Sequence, residues 1–425
     1  MICKTPVFAL LSASACLAVG AVRAGPVTVA ITNAHIFTMA AAGEIPSGTI
    51  LLRDGKIVAV GQDINVPADS TVIDAHGEIA TPGFMLLGSA GLTTEMPFAP
   101  GLDDSHTTSA ELSAGYDIRY GVNPDSTYIP EVRREGATLL LVAPGQAEGK
   151  RPYGYFGGQA AIVDVGVGAA PIVSSRVAVT LVMGVGGANL AGGGRPAEIQ
   201  QLRHLFAQLQ SSPADPKLTI PGLSAEDIEA LRPVAAGKTV LLVQVHSAPD
   251  ILLALDLANA FRLKIVLEGA EEAWRVAGQI AAARVPVVVA PEVNSPSSME
   301  NWGITLANAG LLEKAGVRVA FELSPSAAMF RFPTVRYMGA AAVANGMSYR
   351  AALEALTLVP AQVFGVGDRY GSLEAGKQAD VVLWTGDPLE PASYAETVLI
   401  SGVPQPLTSR QTLLRDRYMP KEITR

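Results

Sequence analysis

Five continuous apolar runs in the middle of the chain, at residues 138–142, 239–245, 264–267, 285–289 and 317–321, constrain its fold more than any other feature. A strand without polar alternation must be buried on both faces, and such strands occur where helices cover a parallel sheet. Helix-like stretches at residues 251–261 and 272–284 follow two of the runs. The alternation predicts an α/β fold, either a barrel or a doubly wound sheet. Gly157-Gly158 and Gly192-Gly193-Gly194 read as loops, and residues 211–217 as a polar connection.

The two ends follow a different pattern. Short β-branched runs at residues 27–31, 49–52, 57–60 and 71–73 are separated by turns, and Asp54-Gly55 between the second and third is a strong hairpin signal. Similar runs at 379–384 and 397–400 flank Gly386-Asp387-Pro388. The reading is of two half-sheets, distant in sequence, that pair into one small sandwich.

Residues 1–24 read as a secretory signal, with Lys4 as the charged start, an apolar run from Pro6 to Val22 and a Val22-Arg23-Ala24 cleavage site. Both cysteines, Cys3 and Cys16, lie inside it, so the mature chain is expected to have no disulfide and no thiolate metal site. The expected location is periplasmic or secreted, with no stable membrane span after cleavage. With 49% hydrophobic and 16% charged residues, the rest has ample apolar surface for a large core. Its formal charge of −8 for the full chain, with no basic stretch, argues against nucleic acid as a partner.

Motifs choose between the two architectures. Asp54-Gly55-Lys56-Ile57, Ile73-Asp74-Ala75 and Ala80-Thr81-Pro82-Gly83-Phe84 near the start resemble the opening of the amidohydrolase superfamily. The stretches Ala355-Leu356-Thr357, Gly371-Ser372-Leu373-Glu374-Ala375-Gly376-Lys377 and Ala379-Asp380-Val381-Val382 resemble its close. Between them, Val245-His246-Ser247 and Val266-Leu267-Glu268-Gly269-Ala270-Glu271-Glu272-Ala273 are similar to the imidazolonepropionase-related branch. The resemblance covers most of residues 27–405 and is weakest between 95 and 235. It implies a (β/α)8 TIM-like barrel at residues 83–367, a composite β-sandwich of residues 25–82 and 368–425, and the signal at 1–24.

The same resemblance implies a divalent metal at the barrel mouth, whose bound water attacks an amide or ester carbonyl. Carried over position by position, its ligands are gone. Gly88 and Ala90 stand at the two first-strand histidines, Leu86 at the aspartate between strand and site, and Gly269 at the sixth-strand histidine. Ser324 stands at the catalytic aspartate, and His246 alone keeps its histidine. One imidazole does not make a zinc site, which needs about three protein ligands even when open for catalysis. No metal or cofactor is therefore expected.

His246, Glu268, Glu322 and Ser324 remain as cleft candidates. On an ideal strand Glu268 faces away from the side that carries position 269, and Glu322 lies two residues short of the old base. Ser89 or Ser324 paired with His246 offers a nucleophile, but no Gly-x-Ser-x-Gly elbow surrounds either. His35, His76, His106 and His204 lack ligand spacing to one another and read as structural or surface residues. The expectation is an exported amidohydrolase-fold protein without metal hydrolysis, either a ligand binder or a homo-oligomeric or heteromeric partner of a catalytic amidohydrolase. The alternative is a hydrolase of carbon–nitrogen bonds that works through a rebuilt mouth site, with zinc.

Overall fold

The structure, a computed structural model, describes residues 28–88, 90–94, 103–109, 111–146, 152–168, 171–323 and 335–419. The segment read as a signal peptide lies outside these residues, as do Ser89 and Ser324.

Both chain ends enter one eight-stranded sheet. The first five strands are β1 (Thr28–Phe37), β2 (Glu44–Arg53), β3 (Lys56–Gly61), β4 (Thr71–Asp74) and β5 (Ile79–Pro82). Arg53 pairs with Lys56 across Asp54-Gly55, and both turn residues have positive φ, +51° and +78°, as a tight two-residue hairpin requires. From the other end, β14 (Val381–Trp384), β15 (Ala395–Ile400) and β16 (Val403–Pro404) join edge to edge. The seam is the antiparallel pairing of β5 with β14, with Val381 opposite Pro82 and Trp384 opposite Ile79. The two ends therefore share one hydrogen-bonded sheet, with an apolar core that includes Ile31, Ile50, Ala80, Val381 and Leu399.

One residue, Gly83, separates β5 from the first strand of the second sheet, β6 (Phe84–Leu87). That sheet continues through β7 (Ala137–Val142), β8 (Phe156–Asp164), β9 (Ile172–Val182), β10 (Val240–Val245), β11 (Ile265–Gly269), β12 (Val287–Val289) and β13 (Val319–Phe321) in sequence order. Its ends meet through a parallel bridge between Leu87 and Glu322, and Leu323 N–H donates to the Leu87 carbonyl at 3.1 Å. The result is a mixed α/β fold around a nearly closed eight-strand barrel. Helices α1 (Tyr128–Arg134), α2 (Val185–Leu190), α3 (Arg195–Ser211), α4 (Ala225–Ala235), α5 (Ala248–Phe261), α6 (Ala277–Ala283), α7 (Asn308–Lys314), α8 (Val335–Ala344), α9 (Tyr349–Leu356) and α10 (Leu358–Val363) are interspersed with its strands or follow them. The helix α11 (Arg410–Tyr418) comes last and buries no residue.

Three expectations change. The barrel is not wholly parallel, because β8 runs antiparallel to both β7 and β9. Gly157 and Gly158, read from sequence as a loop, lie inside β8. A β-carbon on Gly157 would sit 2.3 Å from the Gly145 carbonyl oxygen, so the backbone approaches there too closely for any side chain. The stretch 272–284 is also interrupted: a short 3-10 turn at Ala273–Val276 precedes α6.

Period-two alternation sorts the strand residues into two layers. Met85, Leu87, Leu139, Leu141, Ala160, Ile162, Ala178, Val240, Leu242, Val266, Val288 and Ala320 fill the barrel interior. Val359, Val363 and Phe364 join the same cluster, and Val363 lies beside Lys264 and Val285 at the starts of β11 and β12. The alternate residues face the helices and join the larger outer core.

Candidate functional site

Two residues beyond the apolar interior, the same inward parity brings polar side chains to the carboxyl ends of the strands. Thr180 follows Ala178, Gln244 follows Leu242, Glu268 follows Val266 and Glu322 follows Ala320, and all four line one cavity of about 660 Å³. Ala143 and Ala290 complete the ring from β7 and β12 by the same rule. The register agrees, since Gln244 is paired with Glu268. A cavity of this size matches ordinary small-molecule sites, which span about 300–1,000 Å³. Its walls are more apolar than polar, with Pro144, Leu181, Val182, Val293 and Leu323 among them.

His246 stands just past β10, immediately before Ser247, which caps α5 by accepting from Asp250 N–H. Its Nδ1 lies 2.7 Å from Glu271 Oε2, and Glu271 Oε1 accepts from Asn301 Nδ2 at 3.4 Å. Because Glu271 occupies Nδ1, Nε2 is the ring nitrogen left for a ligand. Burial works against the charged imidazole, but the hydrogen bond and negative charge of Glu271 outweigh it, and Glu300 and Glu268 add to them, so His246 titrates above its ordinary value. Glu271 shifts the other way: burial opposes its ionisation, and His246 more than compensates.

Glu268 and Glu322 bond to each other across the mouth. Burial raises both, and Glu268 raises Glu322 further by like charge and by hydrogen bonding, so Glu322 stands well above the usual carboxylate range. Glu322 Oε1 also accepts from Gly269 N–H at 3.2 Å. The turn after β11 is unusual, with φ of +77° at Gly269 and +44° at the fully buried Ala270. It is tied down by Ala270 N–H to the Val245 carbonyl at 2.8 Å and by Asn308 Nδ2 to the Ala270 carbonyl at 3.1 Å. Glu272 holds the neighbouring loops, accepting from Ala248 N–H at 3.1 Å and Gly303 N–H at 2.9 Å.

Of the residues singled out from sequence, His246, Glu268 and Glu322 meet in this cavity, with Gly88 and Gly269 in its wall. Glu268 is a correction: it faces the cavity and not away from it, because position 268, not 269, shares parity with the interior residue Val266. Ala90 begins a 3-10 turn at Ala90–Leu92. Among the other histidines, His35 pairs with Glu44 at 2.6 Å in the end sheet and His204 lies on α3. Sequence reasoning missed Glu271, Asn301 and Gln244. Glu271 and Gln244 had a usable signal, an acid just past a strand end and a polar residue at inward parity near another.

Gly88 and Gly269 adopt backbone conformations that disfavour a side chain. Gly88 has φ +84°, and a β-carbon there would lie 3.0 Å from the Leu323 carbonyl oxygen at the barrel's closing seam. A β-carbon on Gly269 would lie 3.1 Å from the His246 ring. Among the described residues no three His, Cys, Asp or Glu side chains are arranged to hold a metal ion.

Fold and site together define an α/β-barrel protein that presents its functional groups at the carboxyl ends of the strands. The chain's similarities are to amidohydrolases. The model described as "Amidohydrolase family" matches residues 263–406. The "Amidohydrolase tasK" of Hapsidospora irregularis is 24% identical over 398 residues, which is 84% of this chain and 40% of that relative, so the chain spans less than half of its length. An adenine deaminase of Shewanella halifaxensis is 49% identical over 43 residues, 10% of this chain and 7% of its own. Among solved structures, an amidohydrolase from Thermotoga maritima MSB8 superposes with a TM-score of 0.77 at 25% identity, covering 88% of this chain and 99% of that one.

Proposed function

We propose that this chain binds a small molecule in the barrel-mouth cavity and does not generate a metal-bound hydroxide, so that it serves as a ligand-binding or partner subunit beside a catalytic relative. The observation that carries this reading is the backbone at Gly88 and Gly269. Both positions are held at positive φ, and a β-carbon there would make tight contacts of 3.0 Å at Gly88 and 3.1 Å at Gly269. The two carboxyls nearest the old site are bonded to each other, and His246 is engaged by Glu271. These residues do not fit the metal centre that the family resemblance implies. Further parts of the same reading are export directed by residues 1–24, a place in the imidazolonepropionase-related branch, a β-sandwich form for the end sheet and assembly into homo-oligomers or with an active amidohydrolase.

The test is metal content of the purified mature protein by inductively coupled plasma mass spectrometry, after incubation with zinc or manganese and desalting. The expected result is near-zero metal. Close to one equivalent, lost in His246→Ala, would overturn the proposal and favour hydrolysis of carbon–nitrogen bonds through a rebuilt site.

A further inference from the structure

We propose that the mouth cavity selects a ligand with a compact apolar body and a cationic nitrogen group of the amidinium or ammonium type. The inference rests on the reading of this cavity as a ligand site and adds the chemistry of what enters it.

Charge comes first. Among its described lining residues the cavity carries three carboxyl side chains, Glu268, Glu271 and Glu322, and a single basic group, His246. No lysine or arginine is among them. His246 is paired with Glu271, which leaves Glu268 and Glu322 as two acids with no lysine or arginine beside them among the described lining residues. An anionic ligand would meet these acids with no lysine or arginine among the described lining residues to receive it, and in a desolvated cavity such an arrangement is strongly unfavourable. A cationic ligand offsets them.

Geometry agrees. Glu268 lies on β11 and Glu322 just past β13, with β12 between the two strands, and the small Ala290 just past β12 lines the same cavity. Two carboxyls in one wall suit a planar fork of N–H donors, which can bond both. Gln244 adds an amide to the polar end of the cavity. Its amide lines the cavity next to Glu268 and, among the described residues, has no hydrogen-bond partner in the protein. The rest of the wall mixes polar residues such as Thr180, Ser295 and Asn301 with apolar ones, of which Pro144, Leu181 and Leu323 can cover the ligand's body.

Three ligands of one shape decide the matter: benzamidine, benzamide and benzoate, titrated calorimetrically into the full chain at neutral pH. The expected result is benzamidine bound at least about tenfold more tightly than benzamide, with no detectable benzoate binding. Glu268→Gln and Glu322→Gln are each expected to weaken benzamidine and leave benzamide unchanged. The comparison on the unaltered chain stands even if a variant fails to fold. Tighter binding of benzamide or benzoate, or benzamidine affinity indifferent to a well-folded Glu268→Gln, would overturn the ligand class and leave the cavity as a ligand site. Failure of all three at millimolar concentration would overturn both readings.

Discussion

Glu271 shows how one side chain sets the behaviour of another. Its carboxylate orients His246 through Nδ1 and holds the ring's charged form against burial. Glu271→Gln removes the charge and most of the hydrogen bond's strength and leaves the burial, so the His246 pKa is expected to fall below its value in the unaltered chain. Imidazole resonances followed by NMR across pH 5–9 would read this directly, and an unchanged titration would show that the pair does not form in solution. His246 itself was legible in the sequence as the surviving strand-end histidine, and Glu322 as an acid near the old base. Glu271 was not assigned a role, because its position depends on a turn through positive φ at Gly269 and Ala270 that no periodicity announces. Glu268 was read on the wrong face for a related reason: parity was counted from the vanished ligand at 269, whereas the strand's inward set runs through Val266.

At the scale of elements, helices α2 and α3 enclose a buried acid that the cavity chemistry does not use. Glu198 on α3 is 1% exposed, and burial, followed by the charge of Asp250, pushes its carboxyl up to about 8. Arg195 works in the opposite direction and does not prevail. The sign of the pH effect follows. In the unfolded chain this glutamate loses its proton near 4.5, while in the folded chain it keeps it to about 8. The favourable contribution present below pH 4.5 is therefore lost as pH rises through this window. Glu198→Gln is expected to gain stability relative to the unaltered chain between pH 5 and 8, measured by urea denaturation at several pH values, and parallel profiles would contradict the assignment. Element by element, the apolar runs that became β7, β10, β11, β12 and β13 were legible because burial on both faces leaves a plain mark in composition. Strands β8 and β9 were not. Gly157-Gly158 looks like loop punctuation, yet it is there to let β8 pass close to the Gly145 backbone, a tertiary demand with no local signature.

For the whole molecule, the decisive join is the one between end sheet and barrel. Trp384 on β14 is fully buried, lies 5.2 Å from the Phe84 ring of β6 and donates its indole N–H to Thr81 Oγ1 at 2.9 Å. The Arg336 guanidinium, paired with Glu135 at 2.9 Å, lies 5.8 Å from the ring centre. Trp384→Ala is expected to cost about 3–5 kcal/mol, with sheet and barrel still unfolding in a single transition by circular dichroism. Two separated transitions in the unaltered chain would show that the seam does not couple them. The composite nature of the sheet was readable from the hairpin signals at both ends, but its edge-to-edge continuity was not, because strand order across 300 residues is a matter of partner choice and not of local pattern. The inverted strand β8 also changes the arithmetic of the rim. In a uniform ring each of eight staves sends its own segment to the upper opening, whereas here β8 runs antiparallel to both neighbours and begins at the end where β7 stops, so the two share one connection there. Descendants of this scaffold would then have seven independent rim segments to vary, and the one serving two staves, which carries Pro144, Gly145 and Gln146 into the cavity wall, is anchored at both ends.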